Sequence, residues 1–424
     1  MRLHRWARLI GALAFSLAGC TPTPATPTAA PAVTAPPVLP STLVPPTATA
    51  APTIVTIWLP PLLAPDVTTP AGALLADRLE SFERSHPGVK LAVRTKETSG
   101  PSGLLETLRT ASVVARVSLP HLIALGPGEL SAAADEALIV PYTGPLPPPE
   151  EADWYGFALQ SAAVGDVRYG VPSAAQTEIL VYEIGAYGRA PTDWAAIVGG
   201  PAPFLFPAAD PHAAFSLAEY LSGGAQLTQA DGSPAIDPGA LEEVLMFYGS
   251  AYSAGVLPLT SRQYESSAAT AALFAEGRAA SGVAPLETWM RAPRSGSSAS
   301  ALPTRDGNGI AVARTWSWCL VTEDAAIQPI VVELVEWLSE PEFLGDWTYA
   351  LGTLPPNAAS LEAWPAGAAA TLVNQLVLVA QPMPPRRITD IVGPALRKSV
   401  DAVLSGALTP QTAALQASTE VAGP

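Results

Sequence analysis

The side chains that do metal or acid–base chemistry in enzymes are few in this sequence and widely separated. After residue 20 the chain contains three histidines, His86, His121 and His212, and none is spaced to form a metal-binding pair. The sequence contains no G-x-S-x-G turn, H-E-x-x-H helix, G-x-x-x-x-G-K-[ST] phosphate loop or C-x-x-C pair. These features argue against a hydrolase or a zinc enzyme, and they predict a protein without a catalytic site, metal or cofactor.

Two pairs of adjacent carboxylates and one cysteine are the remaining candidates for chemistry. Glu150-Glu151 and Glu242-Glu243 would suit a glycosidase, which uses paired carboxylates. The first pair lies in a proline-rich loop and the second on a predicted helix, so solvated surfaces explain both pairs more simply. Cys319 lies in an apolar run without a histidine nearby, which favours a small core residue over a catalytic thiol.

The first twenty residues have the pattern of a secretion signal. Three arginines precede an uncharged apolar stretch at residues 9–18. This stretch is shorter than the roughly 20 apolar residues that cross a bilayer. Leu17-Ala18-Gly19-Cys20 resembles the lipobox of bacterial lipoproteins, whose cysteine becomes the acylated first residue. We therefore expect residues 1–19 to be removed and Cys20 to carry a lipid; the alternative is a soluble precursor cleaved without lipidation.

Composition divides the rest of the chain into a tether and a globular body. Residues 21–52 consist almost wholly of Pro, Thr and Ala and contain no charged residue, which predicts an extended tether. About 370 residues remain, enough for two or more domains. The formal net charge of −15 argues against nucleic acid as a partner, because phosphate binding requires a basic surface.

Strands and helices alternate along the body, which predicts an α/β fold with a largely parallel sheet. Such a sheet places ligand-binding loops at the carboxyl ends of its strands. Residue patterns predict strands at residues 53–59, 89–94, 119–124, 169–172 and 178–182. They predict helices at residues 72–85, 103–110, 130–136, 192–198, 240–254, 268–276, 325–338 and 391–404.

The order of short motifs along residues 53–424 resembles the family 1 extracellular solute-binding proteins of ABC importers. This family includes the maltose and multiple-sugar receptors. The motifs are IVTIW at residues 54–58, FERSHPGV at 82–89, GDVRYGVP at 165–172, LVY at 180–182, APTDW at 190–194, FAEGRAA at 274–280, WLSEPE at 337–342 and LSGALTP at 404–410. Each is weak alone, and the resemblance rests on their common order and spacing.

The resemblance implies a two-lobe periplasmic-binding-protein-like fold (type II), with a hinge and an interlobe cleft that holds the solute. Lobe one would comprise residues 53–172 and 308–354, and lobe two residues 173–307 and 355–424. Aromatic side chains stack on sugar rings and polar side chains bind hydroxyls. The positions that match ligand contacts of the family are Gln176, Glu287, Trp289, Trp316, Trp318, Arg387 and Asp390. For the tryptophans, burial in the core is the alternative, and it weighs most for Trp318.

The function implied by the resemblance is that of a lipoprotein anchored outside the cytoplasm. It would be a monomer that captures a sugar or sugar-like solute and delivers it to the permease subunits of an ABC importer. The alternatives are a lipid-anchored sensor or adhesion protein with the same fold and, less favoured, an enzyme acting on cell-surface polysaccharide. Leu59-Pro60-Pro61-Leu62-Leu63 departs from the family, whose members tend to place polar sugar contacts there. An apolar loop would suit a less polar solute or a receptor that only senses.

Overall fold

The computed structural model describes residues 51–142 and 153–423. Its strands are β1 (Thr53–Leu59), β2 (Val89–Thr95), β3 (Leu122–Leu125), β4 (Ala163–Val164), β5 (Val167–Arg168), β6 (Gly170–Gln176), β7 (Glu178–Glu183), β8 (Phe204–Leu205), β9 (Ser281–Pro285), β10 (Ser297–Ser300), β11 (Ala311–Leu320) and β12 (Ala380–Pro382). Its α-helices are α1 (Pro70–Ser85), α2 (Leu104–Val114), α3 (Pro127–Asp135), α4 (Gly156–Ser161), α5 (Ile184–Tyr187), α6 (Trp194–Val198), α7 (Ala214–Ser222), α8 (Pro238–Ser253), α9 (Ser267–Ala275), α10 (Leu286–Arg291), α11 (Gln328–Trp337), α12 (Pro341–Leu351), α13 (Ala358–Glu362), α14 (Ala368–Val379), α15 (Arg386–Leu404) and α16 (Pro410–Ala422).

The larger sheet has six strands and is built around β1. Strands β2 and β3 lie on either side of β1 and run parallel to it, because α1 and α2 provide the crossover connections. Strand β11 pairs with β3 in antiparallel orientation, and it also pairs with β6 and with β12. The strand order is therefore β12-β11-β3-β1-β2, with β6 paired to β11. The first hydrophobic cluster packs this sheet against α1, α2, α3, α11 and α12.

The smaller sheet has four strands in the order β10-β7-β9-β8. Two hydrophobic clusters cover it. The second cluster joins it to α7, α8, α15 and α16, and the third joins it to α9, α10 and α14. Helix α15 shows how these helices bury a surface: Ile388, Val392, Leu396 and Val400 recur every four residues and are all buried in the second cluster.

Strands β6 and β11 pair with each other, and together they run from the first hydrophobic cluster into the second and third clusters. In β6, Ala174 belongs to the first cluster and Ala175 to the third; in β11, Trp316 belongs to the first and Ala313 to the third. These two changes lie side by side, because Ala174 pairs with Trp316 and Ala175 with Thr315. A continuous antiparallel pair is therefore the connection between the two halves of the body. The predicted lobe boundaries stay predictions.

The predicted elements recur in the structure, with shifted ends. The strand predicted at residues 119–124 begins at Leu122, after a short 3-10 helix, and the last predicted helix begins five residues early, at Arg386. The apolar segment after β1 is core, since Leu59 and Leu63 are each 1% exposed and lie in the first cluster. Packing thus accounts for its apolar character, without reference to a solute.

Several predictions concern residues outside the described part of the chain. These are the signal at residues 1–19, the lipidated Cys20, the tether at residues 21–52 except its last two residues, and the pair Glu150-Glu151. Among the helices at residues 51–142 and 153–423, none is both long enough and apolar enough to span a bilayer.

Candidate functional site

A cleft lies where β6 and β11 pass between the two halves of the body. Two adjoining cavities occupy it, and we name them for the residues on which their chemistry depends. The Arg386 cavity has a volume of about 200 Å³ and the Glu287 cavity about 130 Å³. Both are lined by Ala214, Arg314 and Met383, so they form one continuous site.

The Arg386 cavity receives side chains from both halves. Thr98 and Ser99 follow β2, and Glu129 begins α3 directly after β3, so these residues lie at the carboxyl ends of parallel strands. From the opposite side come His212 and Leu217 next to or within α7, and Arg386, Thr389 and Asp390 at the start of α15. Trp316 of β11 also borders the cavity, but it is only 2% exposed and belongs to the first hydrophobic cluster.

Arg386 connects the two walls of its cavity. Its Nε donates to Asp390 Oδ2 at 3.0 Å, which is an i, i+4 contact on α15. Its Nη1 lies 3.7 Å from Oε1 of Glu129 on the opposite wall. The main chains approach closely here as well, because a Cβ added to Gly128 would lie 2.8 Å from Cβ of Arg386.

A chain of hydrogen-bonded side chains leads from Trp316, which lines the Arg386 cavity, to Gln176 and Glu287, which line the Glu287 cavity. Trp316 Nε1 donates to Gln176 Oε1 at 3.3 Å, and Gln176 Nε2 donates to Glu287 Oε1 at 3.1 Å. The tryptophan fixes the orientation of the amide, and the amide in turn positions the carboxylate. The other oxygen, Glu287 Oε2, is enclosed and has no hydrogen-bond partner within the described residues.

A second carboxylate, Glu178, lines the same cavity. Burial raises the pKa of Glu178 to about 7, opposed by a hydrogen bond with Ser267; Asp210 and Glu287 raise it further and Arg314 lowers it. Arg314 is itself exposed and makes no ion pair with any described residue. The cleft therefore presents a carboxylate oxygen without a donor, Glu287 Oε2, and, among the described residues, an arginine without an ion pair, Arg314.

A wider recess of about 700 Å³ lies between α4, the segment after α7 and β12, and it shares Pro384 with the Arg386 cavity. Its lining combines apolar side chains, including Phe157 and Leu227, with the amides of Gln160, Gln226 and Gln381, and it contains no charged side chain. The charged groups that could select a polar solute therefore lie in the cleft. Among residues 51–142 and 153–423, no three His, Cys, Asp or Glu side chains are grouped to hold a metal ion.

Comparison with protein families identifies the chain. The family model for bacterial extracellular solute-binding proteins matches residues 77–371, which is more than half of the sequence. The chain belongs to this family. The resemblance inferred from the sequence motifs is thereby confirmed, and the two halves of this solute-binding protein are the two lobes of its fold.

Solved structures show the same two-lobe fold at low sequence identity. The sugar-binding protein MalE of Xanthomonas citri is 19% identical, with a TM-score of 0.73 over 87% of this chain and 96% of its own. The cyclic alpha-maltosyl-1,6-maltose binding protein of Arthrobacter globiformis is 18% identical, with a TM-score of 0.71 over 88% and 98%. The GacH receptor of Streptomyces glaucescens is 16% identical, with a TM-score of 0.66 over 87% and 97%. No curated protein sequence matches the chain.

The structure brings four of the predicted site residues together in the cleft of the solute-binding protein. Gln176 and Glu287 line the Glu287 cavity, and Trp316 and Asp390 line the Arg386 cavity. They come from β6, α10, β11 and α15, which are far apart in sequence. Their contact with a solute stays a prediction.

The other three predicted residues do not line either cavity. Trp318 is 1% exposed and stacks on Trp347 at 6.1 Å, which makes it a core residue. Trp289 is partly buried and packs against the third hydrophobic cluster. Arg387 is exposed, and its neighbour Arg386 is the arginine that faces the cleft, because adjacent residues of a helix point about 100° apart.

Sequence reasoning missed Glu129, Glu178, Arg314 and Arg386. The i, i+4 spacing of Arg386 and Asp390 was a usable signal, provided that the helix was recognised as starting at residue 386. Glu178 and Arg314 had no such local signal. Their position in the cleft depends on the pairing of strands that lie far apart in sequence, with Arg314 opposite Gln176.

Among the other side chains that could take part in chemistry are two histidines, a glutamate and a cysteine, and each is held in contacts within the fold. His121 Nδ1 accepts from Thr56 N at 2.9 Å, and burial lowers the pKa of His121. The glutamate Glu333 lies 2.9 Å from His86 Nε2 and raises the pKa of that histidine. Glu243 pairs with Arg305 on an exposed surface. Cys319 is fully buried, which raises the pKa of its thiol and favours the unreactive form.

Proposed function

We propose that this protein is the substrate-capturing component of an ABC importer and takes up a sugar or sugar-like solute. The observation that carries the proposal is the lining of the cleft. Gln176, Glu287 and Trp316 form one hydrogen-bonded array there, beside Arg314 and Asp390. Sugars have hydroxyl groups for such acceptors and donors, and the buried indole of Trp316 holds the array in place.

The structural relatives support a carbohydrate as the ligand class. Their names describe a sugar-binding MalE, a receptor of a cyclic maltosyl-maltose and a receptor solved with acarbose. At 16–19% identity they share the fold with this chain, and the residues of their sites are not transferred. The carbohydrate assignment therefore depends on the cleft chemistry together with the common architecture.

We further propose that Cys20 carries the lipid that holds the protein at the outer side of a bacterial membrane, where the permease subunits are its partners. The tether at residues 21–52 would let a monomeric body move above the membrane. A sensor or adhesion protein that has lost transport is the alternative. Genes for two membrane permeases beside this gene would favour transport, and their absence would favour the alternative.

A thermal-shift screen against monosaccharides and oligosaccharides tests the binding function. A ligand at 100 times its dissociation constant stabilises the folded state by about 2.7 kcal/mol, which raises the melting temperature measurably. We expect at least one sugar to do so. An unchanged melting temperature with every sugar would remove carbohydrate from the proposal. As a specificity control, Arg314→Met should lose part of the response, whereas Arg291→Met, outside both cavities, should keep it.

A further inference from the structure

Two carboxylates, Glu178 and Glu287, share a cavity that is only about 130 Å³ in volume. The backbone fixes their positions. Glu178 begins β7 and pairs with Pro285, which ends β9, and the amide of Leu286 then donates to the carbonyl of Thr177 at 3.0 Å. The main chain therefore holds the two residues at neighbouring positions beside the smaller sheet.

The hydrogen bonds of the cavity leave a carboxylate oxygen unsatisfied. Gln176 donates to Oε1 of Glu287, whereas Oε2 is enclosed without a partner among the described residues. Gln176 has no freedom to serve both oxygens, since Trp316 holds its carbonyl. A buried acceptor without a donor costs free energy. The solute is therefore expected to supply that donor.

The charges of the cavity are also unbalanced. Arg314 is the one cationic side chain among the residues that line it, and Arg314 is exposed, so water and salt screen its charge. Asp210 adds a further negative charge near Glu178. Burial and the neighbouring carboxylates raise the pKa of Glu178, and together they outweigh the opposite effect of Arg314.

We propose that the Glu287 cavity is the subsite for a protonated amine, so that the captured solute is an amino sugar or a similar polyol that carries an ammonium group. The inference rests on the proposed binding function and narrows its substrate class. An ammonium group has three donors and a positive charge, whereas a hydroxyl group has one donor and no charge. Hydrogen bonds with charged partners are about twice as strong as neutral ones, so both carboxylates favour the ammonium group.

Matched sugars test this inference with the wild-type protein. Glucosamine, galactosamine and mannosamine are each compared with the corresponding neutral hexose and N-acetylhexosamine by calorimetric titration at pH 7. In at least one series we expect the amino sugar to bind at least tenfold more tightly than both neutral forms. If neutral sugars bind equally well or better, the amine subsite is wrong and sugar capture stands. If no sugar of any class binds, the proposed function fails, and the amine subsite with it.

Two charge-removing variants test whether the preference for the amino sugar arises in the Glu287 cavity. Glu287→Gln and Glu178→Gln keep the size of each side chain and remove its charge, so each should reduce the ratio of amino-sugar affinity to neutral-hexose affinity by tenfold or more. Glu342→Gln, on an exposed surface of α12, is the matched control and should retain the wild-type preference. If both cavity variants keep the wild-type preference for the amino sugar, the amine binds outside the Glu287 cavity. Because the wild-type comparison needs no variant, it decides the question even if a variant does not fold.

Discussion

Arg386 and Glu129 face each other across the cleft, with 3.7 Å between Nη1 and Oε1. Glu129 lies in the first turn of α3 and Arg386 begins α15, so the pair joins the two lobes. The arginine side chain is 44% exposed, and ion pairs of this kind contribute about 1 kcal/mol or less to the free energy of unfolding. The contact therefore contributes little to the free energy of unfolding, and it marks a place where the two lobes meet across the cleft.

Arg386→Ala and Arg387→Ala distinguish the arginine in the cleft from its neighbour. Arg386→Ala should weaken solute binding by about tenfold, which corresponds to 1.4 kcal/mol, because a charged hydrogen-bonding group is removed from the cavity. Arg387→Ala should bind as the wild type does. Calorimetric titration measures both affinities. An equal loss of affinity in both variants, or a larger loss in Arg387→Ala, would support Arg387, the residue predicted from the sequence, as the ligand contact.

Gly128 allows α3 and α15 to approach each other. Gly128→Ala places a methyl group 2.8 Å from Cβ of Arg386, so the two helices must separate slightly. We expect weaker solute binding and a smaller decrease of the radius of gyration on binding, measured by calorimetry and small-angle scattering. Gly185→Ala is the control, because its new methyl group meets nothing within 4 Å. Wild-type affinity in Gly128→Ala would show that the close approach is dispensable.

The two neighbouring arginines show which parts of the structure are predictable from the sequence. Strand β1 is predicted with its exact limits, because TIVTIWL is a dense run of β-branched and aromatic residues. Helix α15 is predicted late, because the prolines before residue 386 and Pro394 within the helix obscure its periodicity. Without its first turn, Arg386 and Arg387 cannot be assigned to different faces, and the sequence points to Arg387, whereas the structure places Arg386 in the cavity lining.

The different positions of Trp316 and Trp318 depend on contacts between strands that lie far apart in the sequence, so local patterns do not predict them. Trp316 and Trp318 are two residues apart on β11, yet one lines the cleft and the other stacks on Trp347. The pairing register shifts between Trp316 and Ser317, so simple alternation does not hold along this strand. No local pattern in WSW indicates that shift, because it arises from the partner strand β6.

Trp289→Ala tests whether Trp289 belongs to the core or to the site. The indole is partly buried against the third hydrophobic cluster, so truncation should lower the free energy of unfolding, by less than the roughly 3–5 kcal/mol of a fully buried tryptophan. The affinity for solute should change little, provided that the variant is measured well below its melting temperature. Denaturant titration and calorimetry give the two quantities. At least tenfold weaker binding with an unchanged melting temperature would instead support the ligand contact predicted from the sequence.

Cys20→Ala tests the lipid anchor. The variant should leave the membrane fraction and appear in soluble form, while the melting temperature of the body stays unchanged because the tether separates it from the anchor. Metabolic labelling with an alkyne fatty acid should mark the wild type and not the variant. Equal membrane retention of both proteins, with no label on Cys20, would contradict the lipoprotein proposal.

Glu219 is a buried carboxyl group that should make the free energy of unfolding dependent on pH. It is 1% exposed; its Oε2 accepts from Trp194 Nε1 at 2.6 Å, and its Oε1 has no partner among the described residues. Burial raises the pKa of Glu219 well above the 4.5 of an ordinary glutamate, against the smaller opposite effect of the Trp194 hydrogen bond. Above pH 4.5 the folded protein thus retains a proton that the unfolded chain has lost, so the free energy of unfolding falls as the pH rises.

Glu219→Gln should remove this part of the pH dependence, because an amide is neutral at every pH. Urea denaturation at pH 5, 6, 7 and 8 should show the wild type losing more stability than the variant as the pH rises. Part of the loss should persist in the variant, since Glu178, with its pKa raised to about 7, contributes with the same sign between pH 4.5 and 7. The exposed-site control Glu342→Gln should follow the wild type. Parallel curves for wild type and Glu219→Gln would mean that the Glu219 carboxyl is ionised in the folded protein throughout this range.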